Sequence, residues 1–179
     1  MWTSPGARGG TGTFSRVVFV PEKSTPCSVR ISTPTIGISI ALRARTLTDK
    51  DIFYNADAGL PRAERELAAA ATSRFNGCIY CASVHSRFSA TYSKREADVQ
   101  RLLDEGVNAD LGERWNAIVA AAVALSATPI AFGAQHVERL RRAGLDDLAI
   151  ADVIQAAAFF NWANRLMLSL GEPAVAEGT

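Results

Sequence analysis

Cys78, Cys81 and His85 fall within the short stretch "CIYCASVH". Their spacing is i, i+3 and i+7, so a helix starting near Cys78 carries all three on one face. Cys78 then sits at the helix N-terminus, where unpaired backbone N–H groups and the helix dipole favour a thiolate. His85 lies one turn past Cys81, close enough to exchange a proton with it directly or through one water. The thiolate is the reactive form of cysteine. Two thiols with two residues between them can also form and open a disulfide without moving the fold. These residue types at this spacing suit thiol–disulfide chemistry with a histidine as proton carrier.

A carboxylate can join them. "LPRAERELAAAATSRFNG" reads as a helix, with Pro61 in its first turn, a run of good helix formers, and Asn76-Gly77 as its stop. If Asn76-Gly77 reverses the chain into an antiparallel hairpin, Glu66 faces roughly residues 85 to 88, beside His85. The neighbours of Glu66 on that face are small, Ala69, Ala70 and Ser73. A carboxylate there would fix the imidazole tautomer and make it a better base, giving a relay from Glu66 to His85 to Cys81. The competing reading of Glu66 is a solvated charge paired with Arg62, four residues earlier. A structural zinc site needs four ligands. Only His136 and Cys27 are left to supply them, with no second CxxC, so no metal is expected. His136 reads as a surface residue. Phe159, Phe160 and Trp162 read as core or subunit contact.

The elements that would position these groups are all helical. A second helix is expected from Cys78 to about Tyr92. "SKREADVQRLLDEG" places Ser93 and Glu96 in capping-box spacing and ends on Gly106. "GERWNAIVAAAVALSATP" puts Trp115, Ile118, Val119, Ala122, Val123 and Ser126 on one face. "GAQHVERLRRAGL" is a shorter helix, and Asp146 can cap the last, "DLAIADVIQAAAFFNWANRLMLSLG". That last helix is apolar on most sides and is expected to be central. No segment after residue 45 reads as a strand, so the fold class is all-α.

Residues 1–45 differ from the rest. They are rich in Gly, Pro, Ser and Thr without a helical period, and are expected to be irregular and poorly ordered. Cys27 lies there as a bystander thiol. The helical domain is expected to span residues 46–179. The apolar share of 48% and charged share of 21% are those of a globular chain. The net charge of +1 carries no clustered positive face in the helical part, which argues against nucleic-acid binding. No apolar run is long enough to cross a bilayer. Three cysteines, two of them close together, do not make a secreted disulfide framework, so a cytoplasmic location is expected.

The arrangement resembles a known family. Glu66, eleven residues, then Cys78-x-x-Cys81-x-x-x-His85 is similar to the pattern of the alkylhydroperoxidase (AhpD-like) branch of the carboxymuconolactone decarboxylase superfamily. "LPRAERELAAAATSRFNGCIYCASVH" and "FFNWANRLMLSLGEP" resemble its peroxidase-related subgroup, over about residues 50 to 173. The resemblance implies an AhpD-like helical domain assembling into homo-oligomers, often trimers or hexamers. It implies a thiol peroxidase that needs no metal or haem cofactor. Carried over by position, Cys81 is the peroxidatic thiol that becomes a sulfenic acid. Cys78 is the resolving thiol, nearer the surface, and His85 and Glu66 move the protons. The implied partners are a hydroperoxide substrate and a thiol reductant such as a lipoyl-bearing or thioredoxin-like protein. In the best-studied members a second histidine lies inside the pair, where this chain has Tyr80. A phenol, with an ordinary pKa of about 10, is a poor base near neutral pH.

The function expected is therefore reduction of hydroperoxides through a Cys78–Cys81 dithiol/disulfide cycle. Two alternatives use the same residues. One is a carboxymuconolactone decarboxylase-type acid/base enzyme working through His85 and Glu66 alone. The other is a redox-sensing oligomeric helical protein.

Overall fold

The computed structural model describes residues 40–170, which form seven helices: α1 (Ile40–Tyr54), α2 (Arg62–Asn76), α3 (Ile79–Ser93), α4 (Glu96–Glu105), α5 (Glu113–Ser126), α6 (Ala134–Arg142) and α7 (Asp147–Leu170). There is no strand among the described residues. Residues 40–45, expected to be irregular, are the opening of α1. The remainder of that segment, Cys27 included, and residues 171–179 lie outside the described residues.

The helix at the centre is α2, not α7. Every residue of α2 from Ala63 to Ser73 is buried, because α1, α3, α5 and α7 all pack around it. Its composition allows this. Ala68, Ala69, Ala70 and Ala71 project so little that neighbouring helices approach closely, with Leu67 filling the remaining space. α7 uses one side for that packing, through Val153, Ala156, Ala157, Phe160 and Ala163. Its other side leaves Leu148, Trp162 and Leu166 exposed. A helix apolar on most sides is thus explained by two kinds of surface, one buried and one bare.

The α2–α3 hairpin forms as the sequence suggests. Gly77 takes φ +79°, a left-handed conformation costly for any residue with a Cβ. Through this turn the Cys78 N–H reaches the Ser73 carbonyl at 3.0 Å. Behind the turn lies a polar network. Asn76 Nδ2 donates to Asn164 Oδ1 at 3.1 Å and to Asn161 Oδ1 at 3.2 Å. Asn164, fully buried, donates in turn to Ser73 Oγ at 3.0 Å. The end of α2 is thereby tied to the middle of α7.

Two end-capping expectations have different outcomes. Asp146 caps α7, its Oδ1 accepting from the Ala149 N–H at 2.8 Å. Ser93 does not cap α4. It is the last residue of α3, and its hydroxyl donates back to the Ser89 carbonyl at 2.6 Å, leaving Arg95 at the α4 boundary. His136 is half-buried rather than a bare surface residue. Its Nδ1 accepts from the Gly133 N–H at the start of α6, and its ring stacks on Phe132.

Candidate functional site

α3 begins one residue after Cys78, which occupies the cap position with extended backbone. Cys81 is in the first turn and His85 one turn further, so the helical register sets all three along one face. Both cysteines are buried, Cys78 at 0% and Cys81 at 5% exposure. This corrects the placement of Cys78 nearer the surface. The chain surfaces at Gly77 and Ile79 on either side of it, while the Ser73 hydrogen bond draws Cys78 itself inward.

Glu66 meets His85 across the hairpin. His85 Nδ1 and Glu66 Oε2 are 2.6 Å apart, with Glu66 1% and His85 8% exposed. The Arg62 pairing is also present, Nε donating to Glu66 Oε1 at 3.1 Å. The two readings of Glu66 therefore merge: it is paired with Arg62 and with His85, and it is not solvated. Each carboxylate oxygen has its own partner. Arg62 is in turn enclosed by aromatic rings, with Tyr54 at 4.0 Å and Tyr92 at 4.4 Å from its guanidinium carbon. Burial works against the Arg62 cation, but the hydrogen bond of Tyr54 and the charge of Glu66 outweigh it and raise its pKa.

Two rings that pack on each other, Phe53 and Phe160 at 5.7 Å between centroids, hold the imidazole. Phe160 of α7 lies edge-on at 4.0 Å between centroids, and Phe53 of α1 lies at 5.1 Å. Phe160 is thus core, as expected, and also one wall of the site. Phe53 was not foreseen, nor was Asp49, one turn earlier on α1. Burial raises the Asp49 carboxyl above its usual pKa, against the lowering influence of His85 and Arg45. The signal for α1 was faint. Thr46 and Thr48 interrupt it with β-branched polar residues, and only Ile52-Phe53, one turn after Asp49, marks a buried side.

Chemically, the arrangement offers two thiols, an imidazole bonded to a carboxyl group, and a cation on that carboxyl group's other oxygen. Among the described residues, no three of His, Cys, Asp and Glu are grouped to hold a metal ion. Nor is any helix among them long and apolar enough to cross a membrane. Tyr80, between the cysteines, is half-buried.

The family model "Carboxymuconolactone decarboxylase family" matches residues 41–124, a span that includes Glu66, Cys78, Cys81 and His85. The fold is shared with an uncharacterized peroxidase-related protein from Silicibacter sp. TM1040, at 26% identity and TM-score 0.66, over 76% of this chain and 71% of that one. It is also shared with an uncharacterized peroxidase-related protein from Ralstonia eutropha JMP134 that carries an alkylhydroperoxidase AhpD core. There the identity is 26% and the TM-score 0.68, over 76% and 72% of the two chains. Over residues 41–124 the chain is similar to the carboxymuconolactone decarboxylase family, and its fold is AhpD-like. A further fold match is the debrominase Bmp8, at 23% identity and TM-score 0.63 over 75% and 71% of the chains, a likeness of fold alone. Among curated proteins, none matches the chain. In this AhpD-like chain the CxxC opens α3, as the resemblance implies, and the carboxylate comes from α2.

Proposed function

We propose that this AhpD-like protein is a thiol-dependent peroxidase that reduces hydroperoxides through a Cys78–Cys81 dithiol/disulfide cycle. The observation that carries the reading is the buried 2.6 Å bond between Glu66 and His85, one helical turn from Cys81. With Glu66 accepting at Nδ1, the Nε2 nitrogen of His85 is the one left to take the Cys81 proton. The Cys81 thiolate attacks the hydroperoxide, becoming a sulfenic acid as the O–O bond breaks. The Cys78 thiolate then displaces hydroxide from that sulfur, forming the disulfide. Protonation of the hydroxide yields water. Each turnover consumes two thiols and a hydroperoxide and yields a disulfide, an alcohol and water.

The 26%-identical neighbours described as peroxidase-related support the same direction. Renewing the dithiol needs an external thiol reductant, a lipoyl-bearing or thioredoxin-like protein. A reducing compartment such as the cytoplasm suits a pair of this kind. The bare apolar side of α7, with Trp162 and Leu166 one turn apart, supports assembly into a homo-oligomer.

Peroxide consumption in the presence of dithiothreitol tests the reading. Cys81→Ser should abolish it, while Cys78→Ser should permit one oxidation and then stall. Consumption that persists in Cys81→Ser would overturn the cycle and bring acid/base chemistry through His85 and Glu66 forward.

A further inference from the structure

Asp49 belongs to α1, outside the motif that carries the thiols, the histidine and Glu66. Arg45, Asp49 and Phe53 are spaced one turn apart and share one side of that helix. Contacts at both ends show where this side points. The Phe53 ring lies 5.1 Å from the His85 ring. The Arg45 guanidinium lies 5.6 Å from the Phe159 ring, and Phe159 packs at 5.4 Å on Phe160, which itself packs on His85. Asp49, midway, is held against the site between these two contacts. The sense of the helix matters too. Tyr54, at its end, shares Arg62 with Tyr92, two turns past His85 on α3. Moving back from Phe53 to Asp49 therefore leads away from Tyr92, toward the cysteine end of α3.

The charged groups that face Asp49 are His85 from α3, Glu66 and Arg62 from α2, and Arg45 from its own helix. Two carboxyl groups thus feel the charge of one imidazole in unlike settings, Glu66 through a direct bond and Asp49 without one. Glu66 has Arg62 and His85 on its two oxygens, an arrangement that suits an anion. Asp49 is governed chiefly by burial, which favours the protonated acid. Two carboxyls set apart in this way suggest one acid and one orienting anion.

We propose that Asp49 is the general acid that protonates the departing oxygen of the hydroperoxide. This rests on the thiol-peroxidase reading above and assigns its missing proton donor. In the first step the Cys81 proton passes to His85. The thiolate forms an S–O bond with the terminal peroxide oxygen, the O–O bond breaks, and the alkoxide takes the Asp49 proton to leave as an alcohol. In the second step the Cys78 thiol gives its proton to the Asp49 carboxylate and its sulfur attacks Cys81. The S–O bond breaks, and the released hydroxide takes the proton held on His85 to become water. The protons balance with no further donor.

The test compares two oxidants that differ in their need for an acid. An alkoxide is a strongly basic leaving group, whereas a carboxylate departs without a proton. Oxidation of the dithiol protein by tert-butyl hydroperoxide and by peroxyacetic acid is followed by stopped flow, in the native protein, Asp49→Asn and Asp49→Glu. The quantity read is the ratio of the peroxyacid rate to the alkyl hydroperoxide rate. In Asp49→Asn that ratio should rise by at least about tenfold, since a positioned acid is worth about 10² or more. Asp49→Glu should bring it back toward the native value. An unchanged ratio in Asp49→Asn, whether both rates fall together or neither falls, overturns the assignment while leaving the peroxidase reading intact. Native protein that neither oxidant converts to the disulfide overturns both.

Discussion

Glu66 and His85, nineteen residues apart on adjacent helices, are joined by the short buried bond between Oε2 and Nδ1. The bond depends on two features that have no chemistry of their own. The Gly77 turn sets the register of the hairpin, and the small residues beside Glu66 let α3 come close enough for the bond to form. Arg62 then occupies the second carboxylate oxygen, so Glu66 presents one oxygen to the imidazole and no other choice of partner.

Glu66→Gln should keep the helical fold and slow peroxide reduction by about a hundredfold, the scale of a lost proton relay. It should also destabilise the protein by about 3 kcal/mol, because Arg62 and His85 lose the charge between them. Steady-state peroxidase assays and urea denaturation measure the two effects separately.

Asn164→Leu removes the link between Asn76 and Ser73. Donors and acceptors are then left unsatisfied inside the protein, at a cost of about 1–3 kcal/mol. The turn that carries Cys78 keeps only the Asn76–Asn161 bond to α7, so the reduction potential of the Cys78–Cys81 pair should shift as well. Thermal unfolding and redox titration against glutathione would show both.

Ala70→Leu tests the claim that α2 is central because its side chains are small. Overpacking at a fully buried alanine should cost about 1–3 kcal/mol and lower the Tm. A variant as stable as the native protein would mean that the helices around α2 can move apart freely.

Much of this arrangement was legible in the chain, and the failures have physical causes. The hairpin and its reach from Glu66 to His85 follow from one glycine turn and the count of residues on each side. α7 was expected at the centre because apolarity all round usually means burial. Ala70 and its neighbours win that place through closeness of approach, a property apolarity does not register. Ser93 and Glu96 had the spacing of a capping box, yet α3 extends through Ser93 and takes its hydroxyl for the Ser89 carbonyl. α1 was missed because its buried residues are few and its relation to His85 is purely tertiary. Phe53 and Asp49 carry no local mark that ties them to a residue thirty or more positions later.

Asp49 also predicts a dependence of stability on pH. Its carboxyl is raised in the folded protein, chiefly by burial, so between the unfolded value of 3.8 and the raised one the folded state holds more protons than the unfolded. Its contribution to stability accordingly falls as pH rises through that window. Asp49→Asn should be more stable than the native protein at pH 7, with the advantage shrinking as pH falls through that window and gone below about pH 4, where both states hold the proton. Melting curves of the two proteins at matched pH values provide the comparison.

Trp162→Glu places a charge on the bare side of α7. If that side is covered by another copy of the chain, the variant should sediment as a smaller species than the native protein at micromolar concentration. A native protein that already sediments as a monomer would remove this role for Trp162.

The most direct measurement is a count of thiols before and after one equivalent of an organic hydroperoxide, in the native protein and in Cys78→Ser and Cys81→Ser. The cycle predicts loss of two thiols as an internal Cys78–Cys81 bond. It also predicts a sulfenic acid trapped on Cys81 when Cys78 is absent. Thiols that remain reduced after peroxide would contradict the account and leave His85 and Glu66 as the working pair.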